Sequence, residues 1–415
     1  MPAQGPALQT SATMADFYQT GSITTLHRLG EPSLERLEEE LVAYAEVRPT
    51  TLVIPALASE MDRPALPGIL RVLREVPYLY RVLIALDAAT AEDFQRARRT
   101  FTGLGHRTDI LWRDGPRAQQ LYRRLEAAGI FTGTAGKGRI VWLALGCVLA
   151  DPTCRTVVLH DADIMTYRRD LLARLCYPVM NPSLGYEYAK GYYARTTDRM
   201  WGRVARLFVT PLIRTLFKLV GNHPLLVFLD SFRYPLSGEF AMDEDVARVM
   251  RVPSDWGLEV GLLAEVYRNV AVRRVCEVDI ADAYDHKHKS LELQWPESGL
   301  MKMAVDIAKS VFVTLAQEGI EVSEGFFRSV RAAYLRMAQD QVRRYADDAA
   351  INQLRFDRHE EGTAVEIFAK AIEIAAAEVY RDPLGSPTIP QWARVTSALP
   401  GILEELRDAV EADNR

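Results

Sequence analysis

Apolar positions along the first 160 residues alternate between a helical period and short β-rich runs. Leu34, Leu37, Leu41 and Tyr44 recur at helical spacing and predict an amphipathic helix over 32–47. TLVIPAL follows as a strand that Pro55 is expected to stop. Residues 65–76 read as a helix, YRVLIALD as a second strand ending at Asp87, and about 91–103 as the next helix. RTDILW is a third strand and 116–128 a helix. The Gly-rich stretch TGTAGKG at 132–138 opens another helix to about Ala150, and RTVVLHDAD is a fourth strand ending in acidic residues. Such alternation predicts a parallel sheet covered by helices. Sheets of this kind bind ligands at the carboxyl ends of their strands. Ser59, Glu60, Asp87, Asp161 and Asp163 should therefore gather by topology although they are distant in sequence.

Beyond 171 the pattern is mixed, with many aromatics and several glycine turns, up to 292. Residues 299–316, 323–345, 363–380 and 388–411 then read as helices rich in Ala, Glu, Arg and Leu. The chain divides into a leader with one helix (1–47), an α/β half (48–170), a second half (171–292) and a helical region (293–415).

Composition narrows the class. Of 415 residues, 48% are hydrophobic and 25% charged, as expected for a globular chain with a sizeable core. A net charge of -5 without a basic stripe argues against a nucleic-acid surface. The opening MPAQGPALQTSA has neither a basic start nor an apolar stretch, so it reads as a disordered leader and not a signal peptide. No run of ~18 uncharged apolar residues predicts a membrane span. The nearest candidate, 204–229, carries Arg206, Arg214, Lys218 and two prolines, which suit a packed segment. Cys147, Cys154, Cys176 and Cys276 form no CxxC pair and read as reduced, buried thiols of a cytoplasmic protein.

Five features carry chemistry. Asp161-Ala162-Asp163 follows an apolar strand, where two carboxylates can face one hard divalent cation shared with substrate phosphates; the plainer reading is a helix cap with a second surface acid. Gly136-Lys137-Gly138 precedes a helix, where backbone N–H groups and a lysine suit an anion, although the spacing is not that of a Walker A loop. Tyr284-Asp285-His286-Lys287-His288-Lys289 offers a histidine that can complete a metal shell. Pro235-Leu236-Ser237-Gly238-Glu239 and Asp255-Trp256-Gly257-Leu258-Glu259 each set an acid beside a glycine turn, the second with an aromatic, as a sugar pocket requires. Lys190, Arg195, Arg203 and Arg206 form a basic cluster that suits an anionic acceptor, although a solvated face is the plainer reading.

Together and in this order, from about residue 50 to 292, these features resemble the retaining glucosyl-3-phosphoglycerate synthases and the related mannosyl-3-phosphoglycerate synthases. VIPAL at 53–57, GKG at 136–138, DAD at 161–163, KGYY at 190–193, GRV at 202–204, PLSGEF at 235–240, WGLEVGLL at 256–263 and HKHK at 286–289 carry the likeness. The resemblance implies a GT-A fold: a Rossmann-like mixed α/β sheet with covering helices, here with a helical C-terminal extension. It implies that 48–170 binds the nucleotide sugar and 171–292 the acceptor. Pro55, Ala56, Leu57, Glu60, Asp87, Lys137, Asp161, Ala162, Leu236, Ser237, Gly238 and Glu259 would line the donor. Asp163 and His286 would ligate a magnesium or manganese ion. Asp163, Glu259 and Lys137 would serve catalysis, while Lys190, Gly202, Arg203, Ala205 and Lys289 would meet the acceptor. One departure stands out: the family's GRVT loop is here Gly202-Arg203-Val204-Ala205, without the threonine hydroxyl.

The implied reaction moves a hexose from a nucleotide sugar, UDP-glucose in the first instance, to the 2-hydroxyl of 3-phosphoglycerate or a similar small acid. GDP-mannose as donor, an inverting transferase with a lipid-linked acceptor, a nucleotidyltransferase and a helical assembly protein remain as alternatives. A homodimer is expected from the helical tail.

Overall fold

The computed structural model describes residues 19, 21–30, 32–101, 103–282, 284–285, 299–384 and 388–415. Eight strands form one sheet: β1 (Thr24–Leu26), β2 (Thr50–Leu57), β3 (Leu79–Asp87), β4 (Arg107–Trp112), β5 (Thr156–Leu159), β6 (Tyr188–Tyr193), β7 (Phe240–Asp243) and β8 (Val275–Ala281). Their spatial order is β1-β8-β6-β7-β5-β2-β3-β4. All neighbours run parallel except β7, which is antiparallel to both β5 and β6. The mixed sheet and its covering helices are the expected fold class. The sheet continues unbroken across the 170/171 division. Thr24–Leu26, expected to lie in an unstructured leader, adds an edge strand beside β8.

The central strands are apolar on both faces because helices cover both. Leu52, Val53 and Ile54 are each at most 1% exposed. β2 does not stop at Pro55. The Val53 carbonyl faces β5, where it accepts from the His160 N–H at 3.1 Å. Pro55, two residues on, turns the same way but lies beyond the end of β5, so its missing N–H costs no ladder bond. β5 itself ends at Leu159, and the acidic residues follow in a turn.

The C-terminal region is helical as expected, with different joints. Helices span Gly299–Gln317, Glu324–Ile351 and Arg358–Arg381, and the stretch expected as one helix over 388–411 is two, Trp392–Ala398 and Ile402–Asn414. Gly401, at φ 85°, supplies the left-handed residue between them. These helices bury the apolar segment at 204–216. Phe208 packs against Phe368 and Tyr334, and the Tyr334 hydroxyl donates to the Leu207 carbonyl at 2.7 Å. Among the described residues no helix is long and apolar enough to cross a membrane.

The last segment straps back onto the first half. Trp392 stacks on Trp142 with ring centroids 4.5 Å apart, and each indole N–H donates to a carbonyl across the contact, Trp142 to Pro390 and Trp392 to Trp142. Asn414 pairs its side-chain amide with both the N–H and the carbonyl of Ile110, capping the exposed edge of β4 as another strand would. All four cysteines are buried free thiols.

Candidate active site

From β2 the chain winds outward through β3 and β4, then returns to place β5 on the other side of β2. That reversal opens a crevice at the carboxyl ends of the strands. Leu57 and Asp87 end β2 and β3 opposite each other. Asp161, Ala162 and Asp163 follow β5. Because β7 runs in the opposite sense, the turn that precedes it, Leu236-Ser237-Gly238-Glu239, enters from this same edge. A reversed strand thus brings Asp161 and Glu239, 78 positions apart in sequence, into one cluster.

The centre of the cluster is Lys137, first residue of the helix Lys137–Leu149. Its ammonium lies 2.7 Å from Asp161 Oδ1 and 3.3 Å from Glu259 Oε1. Burial pulls the lysine toward neutrality, but the two carboxylates outweigh it, and the net direction is upward: the ammonium stays charged. No side chain caps this helix, so its first N–H groups are available to an anion beside the lysine. The helix start sits close against a neighbouring segment, since a Cβ on Gly138 would fall 1.9 Å from the Pro253 carbonyl oxygen. Glu259 occupies the first turn of the helix Leu258–Asn269, whose positive end favours its carboxylate.

Acids outnumber this one ammonium. Burial, and next the charge of Asp161, hold the Asp163 carboxyl above its usual range, with Glu239 and Glu60 adding to the effect. Glu239 is fully buried and accepts hydrogen bonds from the Tyr193 and Tyr284 hydroxyls, each at 2.6 Å, and from Ser237 Oγ at 3.0 Å. Burial and Asp161 raise it despite those bonds. The two tyrosines stack at 3.6 Å and fix its direction. Ala162 is buried, and His160, entirely buried beside Tyr167, is held neutral by desolvation, its pKa pushed down to about 3.

The other expected donor residues line the same edge. Pro55 and Ala56 lie inside β2, Leu57 is exposed at its end, and Glu60 is buried in the turn that follows. Asp87 is buried, bound by Arg113 at 2.5 Å and by its neighbour's backbone N–H, that of Ala88, at 2.7 Å. Leu236 and Ser237 are buried.

The acceptor set divides. Lys190, expected to meet an anionic acceptor, is 1% exposed and donates to the Ser237 carbonyl at 2.7 Å. Desolvation pushes its pKa down to about 8. Central in the sheet, it braces the Ser237–Glu239 turn from below and is not part of an open basic surface. Gly202 takes φ 73°, a conformation a side chain resists. It starts the wide helical turn Val204–Val209, in which Ala205 is buried. Arg203 faces a pocket of about 260 Å³ shared with Arg199, Arg355, Glu360 and Glu361. Arg195 donates to the Tyr234 hydroxyl at 3.1 Å, and Tyr234 packs edge-on against Tyr193. His286 and Lys289 lie outside the described residues.

Sequence reasoning flagged the PLSGEF turn without placing Glu239 in the site, and it missed Tyr193, Tyr284, Arg113, Glu360 and Glu361. KGYY contained a signal for Tyr193. The glutamates on Arg203 had none, because they come from a helix more than 150 residues away.

No family model matches the chain. A glucosyl-3-phosphoglycerate synthase of Persephonella marina is 46% identical over 401 residues, 97% of this chain and 99% of the relative. One of Methanococcoides burtonii is 41% identical, with 96% and 98% covered. Crystal structures of the Mycobacterium tuberculosis glucosyl-3-phosphoglycerate synthase share the fold. Its complex with Mn2+, UDP and phosphoglyceric acid aligns over 72% of this chain and 87% of that one, with a TM-score of 0.51 at 21% identity. Its complex with Mn2+ and UDP-glucose gives 0.52 at 20%, covering 72% and 88%. High identity over almost the whole of both curated relatives, together with a carboxylate-and-lysine cluster at the switch point of a mixed α/β sheet, shows that the chain is a glycosyltransferase and belongs to the glucosyl-3-phosphoglycerate synthase family.

Proposed function

We propose that the protein transfers glucose from UDP-glucose to the 2-hydroxyl of 3-phosphoglycerate, with the anomeric configuration retained and a magnesium or manganese ion on the diphosphate. The observation that carries this reading is the Lys137 ammonium held between Asp161 and Glu259 at the strand ends. A fixed positive charge suits a departing diphosphate, and a carboxylate beside it suits a sugar's hydroxyls. The named relatives and the M. tuberculosis complexes with UDP-glucose and phosphoglyceric acid support the donor and acceptor classes.

The donor set suits a hard cation. Among the described residues no three acids, histidines or cysteines converge to cage an ion by themselves. Magnesium and manganese sites on sugar diphosphates need fewer: one or two carboxylates, with phosphate oxygens and water completing the shell. Asp163, its carboxyl raised by burial and by Asp161, is a group whose charge a cation would compensate. Asp163 would hold the ion, and the ion would supply Lewis-acid neutralisation of the departing diphosphate.

The chain's own residues account for the rest. Lys137 meets negative charge as it develops on the leaving group, preorganised by its two carboxylates. Glu259 accepts from the transferred sugar. Gly238, with no side chain, leaves the Asp161 carboxylate its place. Arg203 draws the acceptor's anionic group toward the crevice so that its hydroxyl approaches the anomeric carbon from the leaving-group side. No enzyme nucleophile is required. The direct test is a panel of UDP- and GDP-linked glucose and mannose against 3-phosphoglycerate, glycerate and phosphoglycolate, with and without Mg2+ or Mn2+, scoring released nucleoside diphosphate. Turnover with UDP-glucose and 3-phosphoglycerate supports the reading; preference for GDP-mannose, or for an acceptor without the phosphate, rejects it.

A further inference from the structure

Arg203 is gripped by two consecutive glutamates that differ in exposure. Its Nε donates to Glu361 Oε1 at 2.7 Å, and its Nη2 lies 2.7 Å from Glu360 Oε1. The Glu361 side chain is 5% exposed and that of Glu360 42%. Glu361 is held a second time, by Arg206 Nη2 at 3.0 Å, and Arg206 in turn lies over the Tyr345 ring. It is therefore fixed from both sides. Glu360 has Arg203 as its one side-chain partner among the described residues; its backbone N–H binds Asp357, which caps the helix. Both glutamates open the helix Arg358–Arg381 and line the pocket of about 260 Å³ that Arg203 faces, together with Arg199 and Arg355.

A guanidinium offers N–H groups along fixed edges, and its direction is set by whichever edge is bound first. Here Glu361 fixes the Nε edge, while Arg203 Nη1 makes no hydrogen bond among the described residues. Glu360 and Glu361 together neutralise Arg203 and Arg206, which weakens the pull of Arg203 on an incoming anion. The buried partner cannot leave without stranding Arg206, whereas the exposed one can swing into water at little cost.

We infer that Glu361 is a positioning residue that aims Arg203 at the acceptor, and that Glu360 occupies the acceptor's place on Arg203 and gives way when the phosphorylated acid binds. The C-terminal helical region thereby becomes part of the acceptor apparatus. This rests on the reading of Arg203 as an acceptor ligand.

The two glutamates then have opposite effects, which a merely structural role would not produce. With the full chain, 3-phosphoglycerate varied and UDP-glucose saturating, Glu360→Gln lowers the acceptor KM about two- to fivefold, the range of an exposed ion pair. Glu361→Gln raises it about tenfold or more, as expected when a buried charge pair is broken. The donor KM stays at the wild-type value in both. Should Glu361→Gln fail to fold, Glu360→Gln decides alone. An acceptor KM unchanged or raised in Glu360→Gln overturns the inference, as does a parallel shift of donor and acceptor KM. If Arg203→Ala raises the acceptor KM while neither glutamine variant moves it, only the inference is lost. If all three variants leave it unmoved, the acceptor reading of Arg203 falls as well.

Discussion

A Cβ on Gly238 would fall 2.5 Å from Asp161 Oδ2, inside any tolerated contact. The glycine in PLSGEF is thus the floor on which the Asp161 carboxylate rests. Gly238→Ala should push that carboxylate off Lys137 and lower kcat/KM about 100-fold, as a misplacement of about 1 Å at a reacting centre can. Circular dichroism should remain native, because the neighbour displaced is a side chain. Activity within a few-fold of wild type would show that Asp161 does not need this position.

Arg203→Ala should raise the acceptor KM more than the donor KM. Arg203 lines a pocket with Glu360 and Glu361, whereas the cluster proposed for the donor is organised around Lys137, Asp161 and Glu259. Steady-state kinetics with each substrate varied in turn separates the two. An unchanged acceptor KM removes Arg203 from the site.

Lys190 makes stability depend on pH in an unusual direction. Burial lowers its pKa from the ordinary value of 10.5 to about 8. Between those values the unfolded chain binds more protons than the folded one, so this lysine adds stability as pH rises through that window and costs stability below it. Lys190→Met removes the dependence. Wild type should gain up to roughly 3 kcal/mol relative to the variant between pH 7 and pH 10.5. Urea unfolding of both proteins across that range checks it, and parallel curves would refute the assignment.

Trp392 is 1% exposed, and Gly146 leaves room for its indole, where a Cβ would fall 2.2 Å from Cζ2. Trp392→Ala should cost about 3–5 kcal/mol in unfolding free energy, the range for truncating a buried aromatic. A loss under about 1 kcal/mol would mean that the strap is not held there.

What was legible in the sequence was local. Asp161-Ala162-Asp163, the lysine loop and the strand periods are contiguous, and each was placed at the edge of the sheet where a parallel topology requires it. What was not legible depends on pairing over distance. Thr24–Leu26 is too short to read as a strand until β8 lies beside it. The reversed sense of β7 brings Glu239 to the sheet edge that Asp161 follows, and nothing in its four residues announces direction. Lys190 reads in sequence as a surface cation grouped with Arg195, Arg203 and Arg206, but β6 lies inside the sheet and its ammonium is satisfied by a carbonyl in another loop. The Arg203–Glu361 contact joins two halves of the chain that share no pattern.

Metal-assisted, retaining glucosyl transfer at Asp161, Asp163 and Lys137 is tested best by the product itself. Incubate the chelator-treated protein with UDP-glucose and 3-phosphoglycerate, add Mn2+ or Mg2+, and read the anomeric coupling of the product by proton NMR, with Asp163→Ala alongside. An α-glucoside on the 2-hydroxyl is expected, formed only when the ion is restored and absent in a folded Asp163→Ala. A β-linked product, or undiminished turnover in the variant or under chelation, would contradict it.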